Sequence, residues 1–206
     1  MSAKKTRNIV IFTIIGLIVI SFIYGYSTYN GLTKSDEAVN EAWAQVENVY
    51  QRRADLIPQL VSTVKGAADY ERSTLENVIK ARSEATSIKI DPSNMTQADL
   101  AKFQASQDQL SSSLNKLMVV VERYPELKAN ANFQTLQAQL EGTENRITVE
   151  RKKFNEATKT FNASIRLFPK NIIAGMFDFE KRPYFEAKAG AENAPSIEFD
   201  YSNSNQ

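Results

Sequence analysis

The stretch LTKSDEAVNEAWAQVENVYQRRADLIPQLVSTV, from Leu32 to Val64, decides the fold. Its apolar residues recur at alternating spacings of four and three, the pattern of a helix that packs along one face in the manner of a coiled coil. We call this face the membrane-proximal seam; its members are Leu32, Val39, Trp43, Val46, Tyr50, Ile57 and Leu60. Two seam positions hold the charged residues Asp36 and Arg53 instead. The stretch therefore predicts one long helix with a single packing face.

An uncharged apolar run, IVIFTIIGLIVISFIYGY, precedes the seam from Ile9 to Tyr26. As a helix it would extend about 27 Å, close to the ~30 Å hydrocarbon core of a bilayer. Lys4, Lys5 and Arg7 come before the run, and the first basic residue after it is Lys34. The positive-inside rule then places the N-terminus in the cytoplasm and the rest of the chain outside it, in a periplasm or its equivalent.

A cleaved signal peptide would have the same basic and apolar regions, and Gly25 and Ser27 are small enough for a cleavage site. However, Tyr24, Tyr26 and Tyr29 form an aromatic cluster that is more typical of a membrane interface. We therefore favour a retained anchor over a signal peptide.

Turn and capping residues divide the remaining chain. Residues 91–94 (DPSN) predict a turn, and Thr96 with Asp99 resembles a capping box at the start of a second helix. A seam of threes and fours follows, until Pro125 ends this helix. Either Asn130 or Asn132 is placed to cap a third helix. Its seam includes Phe154, Phe161 and Phe168, which the sevenfold spacing assigns to the core.

These patterns predict an all-α fold with an N-terminal transmembrane helix, followed by an elongated antiparallel bundle of long helices. The expected division is a cytoplasmic N-terminus (1–8), the anchor (9–26), the bundle (29–187) and a mostly disordered tail (188–206). The membrane-proximal seam has no obvious partner in its own chain, because folding at the two turns sets the third helix beside residues from about Thr63 onward. Either the first helix breaks near Gly66 to complete a four-helix bundle, or copies of the protein pack together.

Composition removes most catalytic chemistry. The chain has no Cys and no His, which excludes thiol nucleophiles, imidazole acid–base catalysis and zinc ligation by these residues. Scattered glutamates such as Glu141, Glu144 and Glu150 are typical of a solvated helix face rather than a metal site. The net charge of +1 gives no basic surface for nucleic acid. We therefore expect no enzyme activity, no cofactor, no metal and no nucleic-acid partner.

Several longer motifs occur in order along the chain: RRADLIPQL (Arg52–Leu60), YPELKANANFQTLQAQLEGTENRI (Tyr124–Ile147), FNEATKTFNASIRLFP (Phe154–Pro169) and PYFE (Pro183–Glu186). Together they resemble the LemA family over nearly the whole chain outside the anchor. The resemblance implies a bacterial single-pass membrane protein with a soluble domain of long antiparallel helices. It also implies a family without an established enzymatic activity.

Arg52, Arg53 and Asp55 lie beside Pro58 in the most distinctive motif. Arg53 is expected to pair with a carboxylate and set the packing register; the alternative is that these residues form a partner-docking surface.

Antiparallel folding at the two turns would bring Arg82, Gln107 and Glu150 to a similar height along the bundle. It predicts one polar layer in which Arg82 pairs with Glu150, because buried charges need partners.

Two functions are consistent with these features. The first is a non-enzymatic membrane-anchored scaffold that contacts the lipid bilayer, forms homo-oligomers through the membrane-proximal seam and binds protein partners still unknown. The second is an adaptor or regulator of a membrane protease or of an envelope-stress system.

Overall fold

The structure is a computed structural model that describes residues 3–65 and 71–186. Every regular element in these two ranges is helical, so the predicted all-α fold is confirmed. The helices are α1 (Ala3–Lys65), α2 (Arg72–Ser87), α3 (Gln97–Val121), α4 (Pro125–Lys128), α5 (Ala131–Ser164) and α6 (Lys170–Met176), with a short 3-10 turn at Pro92–Asn94.

Helix α1 joins the apolar run to the bundle without a break. Its 63 residues correspond to about 95 Å, of which the run Ile9–Tyr26 takes up about 27 Å near the N-terminal end. This run is long and apolar enough to cross a membrane, and α1 is the one described helix with that property. The predicted bend at Gly66 and the predicted disordered tail lie outside the described residues.

The four long helices form an antiparallel bundle. Helix α2 returns along α1, because Arg82, ten residues after the start of α2, donates from its Nε to the carbonyl of Ala54, eleven residues before the end of α1, at 2.7 Å. Helix α3 then reverses along α2, where the Gln107 amide nitrogen donates to the Ala85 carbonyl at 3.1 Å. Helix α5 runs back along α1 over most of its length. The four-helix bundle, one of the two expected ways to cover the seam, is therefore present within the single chain.

The prediction that the membrane-proximal seam lacks a partner in its own chain is wrong. Every member of the seam is at most 6% exposed. The reason is the length of α5, whose 34 residues extend about 50 Å and reach past Trp43 towards the membrane. Phe154 of α5, for example, meets Trp43 with ring centroids 5.6 Å apart. An unpaired seam can no longer serve as an argument for self-association.

Local capping agrees with the sequence. Thr96 and Asp99 form the predicted capping box at the start of α3, and Asn130 rather than Asn132 caps α5 by accepting from two backbone N–H groups. Phe154 and Phe161 are buried, as predicted. Phe168 is 82% exposed, so its assignment to the core is wrong. The cause is that α5 ends at Ser164, before the next turn of the heptad pattern.

Candidate functional site

A buried arginine lies halfway along the bundle and connects three helices. The Arg53 side chain is 3% exposed, although it extends from α1 towards α3 and α5. Its Nη1 donates to Ser111 Oγ and to Glu144 Oε2, both at 2.9 Å. Its Nη2 donates to the Gln107 carbonyl at 3.3 Å and to Gln107 Oε1 at 2.5 Å. We call these four residues the Arg53 cluster.

The Arg53 cluster contains the predicted ion pair between Arg53 and a carboxylate. A buried guanidinium is costly without partners, and the cluster satisfies four of its N–H directions. The Tyr50 ring covers the charge from one side, with Arg53 Cζ 5.1 Å from its centroid. Burial also raises the pKa of the Tyr50 hydroxyl, and the positive charges of Arg151 and Arg53 oppose this rise only in part. Glu144 is 56% exposed, so the ion pair opens onto solvent on one side.

That open side is a groove between α3 and α5. Helix α1 packs against α2 and α5, and α2 packs against α3, but α3 and α5 have few direct backbone contacts. The groove has a volume of about 330 Å³, and Arg53 is one of its lining residues. We call it the distal groove; its lining residues are Arg53, Ser111, Leu114, Asn115, Met118, Gln137, Leu140, Glu141 and Glu144.

Towards the membrane, the space between α3 and α5 is filled by the protein's own extended segment, residues 179–186. Asn155 and Asn162 of α5 hold its backbone in both directions. Asn155 donates to the Phe185 carbonyl at 3.0 Å and accepts from the Phe185 N–H at 2.9 Å. Asn162 makes the same pair of bonds with Arg182, at 2.8 and 2.9 Å.

Helix α3 binds the same segment from the other side. The Gln97 amide donates to the Tyr184 carbonyl at 3.3 Å, and the Gln104 amide donates to the Glu186 carbonyl at 3.2 Å. The Phe185 ring stacks on Trp43 with centroids 6.1 Å apart, under the guanidinium of Arg151. The space between α3 and α5 is thus built to accept an extended chain through side-chain amides and one aromatic pocket.

Arg182 fixes the start of this segment to α1. Its Nε and Nη2 donate to the two carboxylate oxygens of Asp36, each at 2.9 Å. Its Nη1 donates to the carbonyls of Pro92 and Ser93 in the 3-10 turn. Asp36, the charged seam position other than Arg53, is therefore paired through a bidentate ion pair, a strong and directional contact.

The predicted pairing of Arg82 with Glu150 is wrong. Arg82 donates to the Ala54 carbonyl and lies 4.0 Å from Asp55. Glu150 accepts from the Lys153 ammonium at 2.8 Å. Arg82 lies level with Ala54, and α5 brings Glu144 to that level, whereas Glu150 is six residues, or about 9 Å, further along α5. Gln107 does belong to a buried polar layer, but its charged partner is Arg53.

The other predicted residues divide between surface and packing. Arg52 and Pro58 are exposed on α1, and Asp55 is 59% exposed while accepting from the Gln51 amide at 2.8 Å. These residues are therefore available to a partner, and the structure brings Arg53 alone of this motif into the Arg53 cluster.

Sequence reasoning missed Asn155, Asn162 and Arg182. A signal was present, because Asn155 and Asn162 lie seven residues apart and so share one helix face with Phe154 and Phe161 beside them. Among the described residues, no three Asp or Glu side chains come together in a way that could hold a metal ion.

Comparison with known proteins identifies relatives among magnetosome MamQ proteins and LemA proteins. The chain is 25% identical over 181 residues to magnetosome protein MamQ 2 of Paramagnetospirillum magneticum, covering 80% of this chain and 66% of that protein. It is 24% identical over 181 residues to magnetosome protein MamQ of Magnetospirillum gryphiswaldense, with the same coverage. It is 21% identical over 178 residues to protein LemA of Metamycoplasma hominis, covering 86% of this chain and 77% of that protein.

The chain spans just under two thirds of the length of the MamQ relatives it matches. The model of the LemA family matches residues 42–199, which include the Arg53 cluster, the distal groove and the extended segment. Because this match covers most of the sequence, the chain belongs to the LemA family.

Proposed function

We propose that this chain is a non-enzymatic, membrane-anchored interaction protein that binds an extended segment of a protein partner in its distal groove. The observation that carries the proposal is that the membrane-proximal part of the same space already holds an extended chain, residues 179–186, through Asn155, Asn162, Gln97 and Gln104. The distal groove lies between the same two helices, further from the membrane, and also has side-chain amides in its lining.

The lining of the distal groove is suited to an extended peptide. Asn115 offers a side-chain amide from α3, and Gln137 on the opposite helix offers its amide oxygen, since its NH2 group already donates to Glu141 at 3.0 Å. Leu114, Met118 and Leu140 provide an apolar surface for the partner's side chains. Backbone recognition by polar groups with apolar pockets for alternate side chains is a common mode of peptide binding.

The membrane anchor places this groove at a defined distance from the bilayer. Arg53 is 27 residues beyond Tyr26 on the same helix, so the groove lies about 40 Å above the end of the apolar run. A rigid rod of this kind presents a partner at a fixed height rather than on a flexible tether. This geometry supports a role in holding surfaces together beside the membrane.

The bundle is proposed to lie outside the cytoplasm at the bacterial inner membrane, because Lys4, Lys5 and Arg7 precede the apolar run. The absence of cysteine from the chain makes a direct test simple. A Ser73→Cys variant in intact cells should react with a membrane-impermeant maleimide, since Ser73 is exposed on α2. A Ser2→Cys variant should react only after lysis, and the reverse labelling pattern would overturn the orientation.

Site-specific photocrosslinking in intact cells tests the groove. A photoreactive residue at Gln137, half-buried in the distal groove, is expected to give a product with a protein of different mass. The same residue at Glu76, exposed on α2, is the matched control and should give no such product. Equal products at both positions would overturn the proposal.

Two further results would also contradict it. A product of twice the chain mass would identify self-association. An internal crosslink to residues 187–206 would show that the chain's own tail occupies the groove.

A further inference from the structure

The membrane end of the bundle carries exposed apolar side chains that the anchor does not include. Leu167, Phe168, Ile172, Met176 and Phe177 are all more than half exposed, with Phe168 at 82% and Met176 at 69%. Outside the apolar run, such a concentration of exposed large apolar residues is unusual for a soluble surface and is typical of an interaction site.

These residues form one stripe. Ile172 and Met176 are four residues apart and lie on the same side of α6, and Phe168 is exposed in the turn that precedes this helix. The opposite side of α6 packs on the bundle, where Ala174 is buried and Ile173 is half-buried. We call this exposed side of α6 the α6 stripe; its members are Phe168, Ile172 and Met176.

The position of α6 along α1 fixes its depth. A Cβ added to Gly25 would lie 3.7 Å from Ile173 Cδ1, and Gly25 belongs to the apolar run. One turn further, the rings of Tyr29 and Phe177 meet with centroids 4.7 Å apart. Because the run Ile9–Tyr26 matches the thickness of the hydrocarbon core, α6 lies at the level where that core ends.

We propose that the α6 stripe inserts into the bilayer surface beside α1 and gives the protein a second attachment to the same membrane. The inference rests on the membrane anchor of the proposed function. Interfacial helices bury their apolar face about 5–10 Å into the boundary between headgroups and acyl chains. Arg166 and Lys170 lie on exposed positions at the start of the stripe, where long basic side chains reach back to the headgroups. The charged residues Asp178, Glu180 and Lys181 follow it on exposed positions.

A second attachment constrains the bundle in a way that a single helix does not. One transmembrane helix leaves the domain free to rotate about the helix axis. Contact of α6 with the bilayer on one side of α1 sets that rotation, and with it the direction in which the α3–α5 space faces. The lipid surface is therefore part of the positioning of the distal groove.

The test uses the full chain in phosphatidylcholine vesicles with a single cysteine carrying an environment-sensitive fluorophore. The Met176→Cys variant places the probe in the α6 stripe, Ser21→Cys places it inside the anchor, and Ser73→Cys places it far from the membrane. Lipids with a doxyl quencher near the headgroup should remove most of the Met176→Cys fluorescence. Lipids with a deep quencher should affect Ser21→Cys more, and neither should affect Ser73→Cys.

The outcomes separate this inference from the proposed function. Quenching at Ser21→Cys with none at Met176→Cys overturns the second attachment alone. No quenching at either position overturns the anchor and, with it, both proposals. Disulfide formation between two Met176→Cys chains in place of quenching would show that a second copy covers the stripe, which also overturns the inference.

A second variant guards against a local effect of the probe. Adding Phe168→Ser and Ile172→Ser to Met176→Cys should clearly weaken the shallow quenching without changing the helical circular dichroism signal, since both residues are exposed. Unchanged quenching in this variant would contradict insertion of the stripe.

Discussion

Arg82 completes a hydrogen bond that Pro58 cannot make. In a regular helix the N–H of residue 58 would donate to the carbonyl of Ala54, but proline has no N–H. The Arg82 Nε, from the neighbouring helix α2, donates to that carbonyl at 2.7 Å. The carbonyl of Ala54, which Pro58 leaves without a partner in α1, therefore becomes a hydrogen-bonded contact between α1 and α2.

A double-mutant cycle between these residues tests this relationship. Arg82→Met keeps the aliphatic stem and should lower the free energy of unfolding by about 1–2 kcal/mol, because it leaves a buried carbonyl unpaired. In a Pro58→Ala background the cost should be clearly smaller, since the backbone N–H of the introduced alanine can then bond to the Ala54 carbonyl. Urea unfolding of the protein in detergent measures both values. An equal cost in both backgrounds would refute the link to Pro58.

The Arg53 cluster predicts that two glutamates of α5 contribute differently to the stability of the fold. Glu144→Ala removes the carboxylate of a buried arginine, and because Glu144 is 56% exposed we expect a moderate loss of about 1–2 kcal/mol. Glu150→Leu removes only an ion pair with an exposed lysine and should change stability by less than about 0.5 kcal/mol. Thermal unfolding of the two variants checks this, and a larger loss in Glu150→Leu would favour Glu150 as the partner of a buried charge.

The burial of the Phe185 side chain indicates that the extended segment is part of the folded domain. Its side chain is 6% exposed and packs on Trp43 and Phe154. Phe185→Ala should therefore cost about 3–5 kcal/mol, the usual range for a buried phenylalanine. Tyr184→Ala is the control, because Tyr184 is 36% exposed and should tolerate the change. Similar stability of the two variants would mean that the segment contributes little to the core.

The sequence predicted those features that depend on helical period and on local turn chemistry. The spacing of Trp43, Val46 and Tyr50 identified a buried face correctly, and the pairing of Thr96 with Asp99 identified a helix start. What covers that face depends on how far α5 extends past the turn at Asn130. The positions of the turns do not fix this length, so the prediction left the membrane-proximal seam uncovered. Residues 179–186 are extended and show no apolar period. The amides that hold them lie on other helices, so their local sequence does not predict their position.

The capping box of α3 predicts a pH-dependent contribution to stability. The Thr96 hydroxyl and backbone N–H donate to the Asp99 carboxylate, and these bonds hold the pKa of Asp99 below its ordinary value. A carboxyl whose pKa is lowered by folding stabilises the protein fully above the pKa of the unfolded chain, and this contribution is lost as the pH falls through the lower, folded value. Asp99→Asn lacks the charge at every pH. The melting temperature of the native protein should therefore exceed that of Asp99→Asn at pH 7, and the two should converge as the pH falls below the ordinary range of an aspartate. A difference that stays constant across this range would mean that the carboxylate charge contributes nothing to the cap.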